Sequence, residues 1–214
     1  MDFGLGFSYI FQDKEWFKKL ILPGLVLLIP IVGWMITLGW ALRVTKNVIS
    51  GVEEPLPDLD FGGDVIRGFF AFLISFIYSL PVSALSTITG WFVNLNFPGG
   101  SASNTLIGVF AALVGLAAFF LGLVTSFMSL PAIANYIGKD DFGAAFRLGE
   151  VFGLVKNNFG VWLIVAIGTL VAVGLIAPLG AIACIIGLLV TLPYSFAVMG
   201  HLMGQAYVET SHRA

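Results

Sequence analysis

Charged side chains fall in short clusters, and between them the chain runs apolar over stretches long enough to cross a bilayer. Gly68 to Gly138 contains no Asp, Glu, Lys, Arg or His, and in Asn157 to Val208 His201 is the only such residue. A helix rises about 1.5 Å per residue and a bilayer core is about 30 Å thick, so a span needs roughly 20 apolar residues. Each of these two runs suits a pair of spans. The first divides at Asn94 to Asn104, where Pro98, Gly99, Gly100 and Ser101 are turn formers. The second divides near Ala177 to Gly180, at Pro178. A third charge-free run, Leu20–Leu42, is closed by Arg43 and Lys46 and contains Pro23 and Pro30, each of which interrupts a helical hydrogen-bond ladder. It reads as a kinked single span or as a re-entrant hairpin. Hairpin arms of about 11 residues would reach only halfway across, which favours the single span. The pattern thus predicts helices that cross or enter the membrane at Leu20–Leu42, Gly68–Val93, Thr105–Ile137, Asn158–Ile176 and Ala181–Tyr207.

The segments between them are of two kinds. Residues 47–67 form a polar connector rich in Gly, Pro and acidic side chains, a loop by composition. Residues 1–19 and 139–156 mix bulky apolar and charged residues. Phe3, Phe7, Ile10 and Phe11 can share one face of the first. Phe142, Phe146, Gly149, Phe152 and Gly153 can share one face of the second, where Asp140 or Asp141 caps the start. Both read as amphipathic helices lying in the headgroup region. The expected fold is all-α: one integral membrane domain over residues 1–214, a polytopic transmembrane bundle of about five membrane helices with two interfacial amphipathic helices.

Small residues suggest how the bundle packs. Gly108, Gly115 and Gly122 recur every seventh position along one stripe of Thr105–Ile137, and Gly200 and Gly204 form a GxxxG pair. Small residues let helix backbones approach closely in lipid. Thr105–Ile137 is therefore expected at the centre. Composition agrees with a membrane protein: 58% of the 214 residues are hydrophobic and 10% charged, against about 25% charged in a soluble domain. The mean hydropathy is +1.00. A formal net charge of -2 argues against a nucleic-acid partner. The expected partners are membrane lipids, and other membrane subunits or a second copy. The first residues lack a basic region before their apolar ones, so the membrane helices themselves are expected to target the chain. Lysines and arginines cluster at one side of the four later spans, which predicts a cell-membrane protein with charged loops and C-terminus cytoplasmic. Lys14, Lys18 and Lys19 join that side only if Leu20–Leu42 is a hairpin.

Candidate chemistry is sparse. Leu80-Pro81, Leu130-Pro131 and Leu192-Pro193 lie inside spans, preceded by Ser79, Ser129 and Thr191. Such prolines free a carbonyl one turn earlier and can mark broken helices around a substrate site, or simply kinks that aid packing. His201 is an ionisable group inside a span and so a candidate for proton relay or for ligating a metal or pigment. Packing with one hydrogen bond is the plainer reading, because no carboxylate accompanies it. His201, Tyr194, Ser129 and Ser79, with Asn135, would line any polar cavity. The connector acids Glu53, Glu54, Asp58, Asp60 and Asp64 lack the alternation of a calcium loop and read as a solvated acidic loop. Cys184 reads as a small buried hydrophobe. There is no catalytic motif, so no catalytic, cofactor-binding or metal residue is assigned, no cofactor is expected, and the chain is not expected to be an enzyme.

Several stretches in order resemble the prokaryotic membrane family called domain of unknown function 4013. They are Trp16-Phe17-Lys18-Lys19-Leu20-Ile21, Ile29-Pro30, Gly39 through Arg43 to Gly51, Leu56-Pro57-Asp58 with Phe61, and Gly68. Pro131 through Tyr136, Ala145-Phe146 and Gly204-Gln205-Ala206-Tyr207 follow. The chain carries Asp60 where many members have an aromatic residue. The resemblance implies a multi-pass membrane protein of bacteria or archaea and no activity. The expected function is a non-enzymatic membrane protein, a scaffold or accessory subunit of a membrane assembly. The alternative is a small-solute transporter or channel built on the proline-broken helices.

Overall fold

The computed structural model describes residues 1–54, 56–94 and 100–211. The turn residues Pro98 and Gly99 and the terminal Arg213 lie outside the described residues, as do the side chains of Ser101 and Cys184. Among the described residues every regular element is helical: α1 (Phe3–Ser8), α2 (Trp16–Val26), α3 (Val32–Ile49), α4 (Phe61–Asn94), α5 (Gly100–Lys139), α6 (Leu148–Asn157), α7 (Phe159–Thr169), α8 (Ala177–Leu179) and α9 (Cys184–Ser211). A π-helical stretch, Leu170–Ile176, joins α7 to α8, and short 3-10 turns precede α2, α6 and α9. Four helical stretches are long and apolar enough to span a membrane: Phe61–Trp91, Thr105–Lys139, Phe159–Ile182 and Ile186–Ser211. The chain is a multi-pass membrane protein by this measure.

The fifth expected span, Leu20–Leu42, is corrected. It forms two helices, of 11 residues in α2 and 18 in α3, roughly 16 and 27 Å long. They fold back on each other: the Thr37 hydroxyl donates to the Pro23 carbonyl at 3.0 Å. The turn between them contains Ile31 at φ 66°, with Val32 N–H donating to the Pro30 carbonyl at 2.7 Å, a γ-turn. Lys19 at the start of α2 is within electrostatic reach of Asp58 and Glu54 in the connector. Both ends of the segment therefore meet the connector, which is the hairpin geometry. Pro23 did not end α2. It sits inside it, and its carbonyl is satisfied from α3.

Two compact units are present: Met1–Ile74 with Leu130–Ala214, and Ser75–Ser129. In the larger, α9 is the central helix, packing against α1, α2, α3, α6 and α7. The core gathers Trp40, Leu42 and Val44 of α3, Trp162 and Val165 of α7, and Val198, Leu202 and Met203 of α9. The expectation that Thr105–Ile137 holds the centre is corrected. In its most apolar window 6% of residues are buried, against 56% for Ile186–Ser211. Gly108 and Gly115 face open space, and a Cβ on Gly122 would only touch Val82, within the smaller unit. The close approaches are elsewhere. A Cβ on Gly39 would overlap the Asp64 carbonyl, one on Gly68 the Met35 carbonyl, and one on Gly200 the Ala41 carbonyl, while one on Gly204 would lie 2.7 Å from Val48 Cβ.

The smaller unit consists of parts of α4 and α5, with Leu80, Ile88, Leu113, Leu116, Phe119 and Phe120 exposed. Apolar residues on the outside are what a lipid-facing hairpin requires.

Candidate functional site

Two polar centres stand out, one closed and one open. The closed centre fixes the connector. Asp64, in the first turn of α4, is fully buried and accepts two hydrogen bonds from the Arg43 guanidinium of α3, Nε to Oδ1 at 2.6 Å and Nη2 to Oδ2 at 2.7 Å. Its Oδ2 also accepts the Asp60 N–H at 2.9 Å. Arg43 Nη2 reaches the Asp58 carbonyl as well, and the Trp40 indole N–H donates to the Pro57 carbonyl at 2.8 Å. A planar guanidinium meeting a carboxylate edge-on is the strongest common ion-pair geometry. The close Gly39 and Gly68 approach brings α3 and α4 near enough for it. The expectation of a solvated acidic loop therefore fails at Asp64, although Glu53, Glu54, Asp58 and Asp60 are exposed. Arg67 lies 3.5 Å from the same carboxylate, and its Nη1 is buried without a hydrogen-bond partner.

The open centre is a polar cleft of about 440 Å³ between the last turns of α5, α6 and the end of α9. Asn135 and Lys139 are one helical turn apart on α5, and both reach the same Glu150 oxygen of α6. Asn135 Nδ2 donates to Glu150 Oε2 at 3.1 Å and to the Ala144 carbonyl at 2.9 Å, and Lys139 Nζ donates to Oε2 at 2.8 Å. Arg147 Nη1 stands 3.8 Å from Glu150 Oε1 and pairs with Asp141 through its other nitrogen. Lys139 and Asn135, with Arg147 behind them, hold the Glu150 carboxyl below its ordinary value, so it is an anion and a poor proton donor near neutral pH. The Tyr207 ring lies against Gly138, where a Cβ would collide with it, and its neighbour Ser211 completes the α9 side. As expected, Asp141 caps the segment, accepting from the Gly143 N–H at 2.9 Å. The expected apolar face of α6 is corrected. Val151, Leu154 and Val155 are buried, while Leu148 and Phe152 are exposed, because the 3-10 turn at Phe142–Phe146 breaks the helical phase between Phe146 and Gly149.

The candidates read from the sequence divide between the two units, Tyr194 and His201 in the larger and Ser79 and Ser129 in the smaller. Tyr194 and His201 lie on α9 and face the N-terminal segment. The Tyr194 hydroxyl donates to the Phe7 carbonyl at 2.9 Å. The His201 ring stacks on Tyr9 with centroids 4.1 Å apart. Gln205, one turn on, sits 3.0 Å from His201 Nδ1. The Gln205 carbonyl oxygen accepts the Asp2 N–H at 2.7 Å, so its amide nitrogen faces the imidazole, Nδ1 accepts, and the ring hydrogen is on Nε2. The hydroxyls of Ser79 and Ser129, in the smaller unit, turn back onto their own helices, donating to Phe76 and Ser126 carbonyls, each at 2.7 Å. The helices are not broken: Pro81, Pro131 and Pro193 lie inside α4, α5 and α9. Pro193 frees the Leu189 carbonyl, and Gly24 of α2 packs directly onto that oxygen, a close Cα–H approach that occupies it. Among the described residues no group of three or more His, Cys, Asp or Glu is placed to hold a metal ion.

Sequence reading named Asn135 but missed Lys139 and Glu150 as its companions. The four-residue spacing of Asn135 and Lys139 was a usable signal. The cross-helix partner was not. A family model described as a protein of unknown function, DUF4013, matches residues 22–202. No curated protein and no solved structure matches the chain. The match covers most of the sequence, and the chain belongs to this family.

Proposed function

We propose, with membership of that family of unknown function as the premise, that this protein is a non-enzymatic subunit or scaffold of a membrane assembly. One observation carries the reading. Thr105–Lys139 is a 35-residue apolar helix with 6% of its most apolar window buried. Its length of roughly 50 Å exceeds a bilayer core of about 30 Å. A helix that long must tilt, thicken the bilayer or associate, and mismatch of this kind drives helix–helix association. Gly108 and Gly115 have open space above them, so a neighbouring helix can approach there without displacing a side chain. The chemistry of the two polar centres supports a non-enzymatic role: their charged groups are engaged in ion pairs, and Glu150 is held as a hydrogen-bonded anion. The transport reading loses its motive, since the helices continue through their prolines. The charged loops and C-terminus are placed at the cytoplasmic face by the lysine and arginine bias.

The test is in-membrane crosslinking. Photoreactive residues at Val109 and Leu116, both exposed, should give discrete protein adducts in native membranes. Ile66 and Phe69, exposed on α4, serve as comparison positions. Adducts with lipid alone from Val109 and Leu116 would overturn the assembly reading.

A further inference from the structure

The open cleft has features that an ion pair linking two helices does not require. Its two charged lining groups are of opposite sign, Lys139 and Glu150, and the adjacent Arg147–Asp141 pair cancels itself. A net anion entering would face the Glu150 carboxylate, and a net cation the Lys139 ammonium. A ligand carrying both signs avoids each penalty. The α6 wall is built from Gly149 and Gly153, and a Cβ at either would meet nothing within 4 Å. Among the described residues these glycines therefore serve no close helix contact. They leave the slot open. On the same helix Leu148 and Phe152 are exposed, at 67% and 60%.

We propose that the cleft seats a zwitterionic headgroup of phosphoethanolamine chemistry, a phosphodiester joined to a primary ammonium. The phosphodiester meets Lys139 and the Ser211 hydroxyl. The ammonium donates to Glu150 Oε1, which takes neither the Asn135 nor the Lys139 hydrogen bond and has the Arg147 guanidinium beside it at 3.8 Å. A trimethylated ammonium has no N–H to donate and fits less well. Leu148 and Phe152, exposed on α6, offer acyl chains apolar surface on the same helix, so a membrane aminophospholipid is the natural bearer. Free glycerophosphoethanolamine carries the same head.

The experiment is native mass spectrometry of the full chain released from nanodiscs holding equal parts phosphatidylethanolamine, phosphatidylcholine and phosphatidylglycerol. The expected result is retention of phosphatidylethanolamine above the other two. Gly153→Leu puts a side chain into the slot at a position where its Cβ meets nothing within 4 Å and should cut that retention roughly tenfold by blocking entry, as should Glu150→Gln by removing a charge-assisted contact. Gly160→Leu, at an equally open glycine on α7, should leave it unchanged. A Gly153→Leu protein that keeps the wild-type melting temperature shows that the loss is local. Equal retention of the three lipids, or wild-type retention by Gly153→Leu, overturns the proposal. Addition of glycerophosphoethanolamine separates the two sources: displacement of the lipid assigns the head alone as sufficient, and no displacement assigns the lipid.

Discussion

Single residues show where the backbone and the charges are under tension. Ile31 occupies φ 66°, ψ -62° at the tip of the α2–α3 turn, a region a β-branched residue rarely adopts. Strain of this kind costs on the order of 1–3 kcal/mol. Its side chain is 71% exposed, so packing does not require isoleucine there. Ile31→Gly should therefore hold or raise the melting temperature in detergent, although glycine lowers stability at most positions. A clear fall would show that the γ-turn is not strained. Glu150 gives a pH prediction. Its folded-state carboxyl lies below the ordinary value, chiefly because of the Lys139 and then the Asn135 hydrogen bond. The pairing should stabilise above the unfolded carboxylate value, about 4.3, and be lost as pH falls through the lower folded value. Melting curves of the wild type and Glu150→Gln should stand apart at neutral pH and converge in acid. A gap that widens on acidification would reverse the sign. At His201, one half of the environment was legible in advance. Gln205 is four residues on and shares its face. The Tyr9 ring arrives from the distant N-terminal segment, and no local pattern signals that.

At the scale of elements, apolar length identified four spans because it follows directly from the thickness of the bilayer. The small-residue pattern misjudged which helix is central. Small residues every seventh position state that a partner could approach, not that one of this chain's own helices does. Gly108 and Gly115 satisfy the pattern and face open space, whereas Gly39 and Gly68 sit where α3 and α4 touch backbone to backbone. Mutation should separate the two classes. Gly68→Ala pushes a methyl into the Met35 carbonyl and should cost about 1–3 kcal/mol, with a drop in melting temperature. Gly115→Leu should change it little. The reverse ranking would return Thr105–Ile137 to the centre. The prolines left two readings open for a related reason, and the packing reading holds. A freed carbonyl can mark a binding site or a packing contact, and only the neighbour decides. At Leu189 the neighbour is Gly24.

For the whole molecule the decisive question was the first apolar run, where charge and length pointed in opposite directions. The lysine and arginine bias favoured a hairpin, and the short arms opposed it. The length argument assumed that each arm must itself span. The structure removes that assumption: α2 and α3 are packed on α9, so their backbone polar groups are satisfied within protein, where partial crossings are tolerated. With a hairpin, Lys14 belongs on the same side as Glu53 in the connector and Gly149 on α6. Lys19 already lies close to the connector acids. Four spans then return the chain to the side on which it began. Single cysteines at Lys14, Glu53 and Gly149, in a Cys184→Ala background, should all react with a membrane-impermeant thiol reagent in inverted membrane vesicles and stay protected in intact cells. Protection of Lys14 alone in the vesicles would mean that Leu20–Leu42 crosses completely. Reaction of all three in intact cells would keep the hairpin and invert the molecule, against the positive-inside bias that ten basic residues impose.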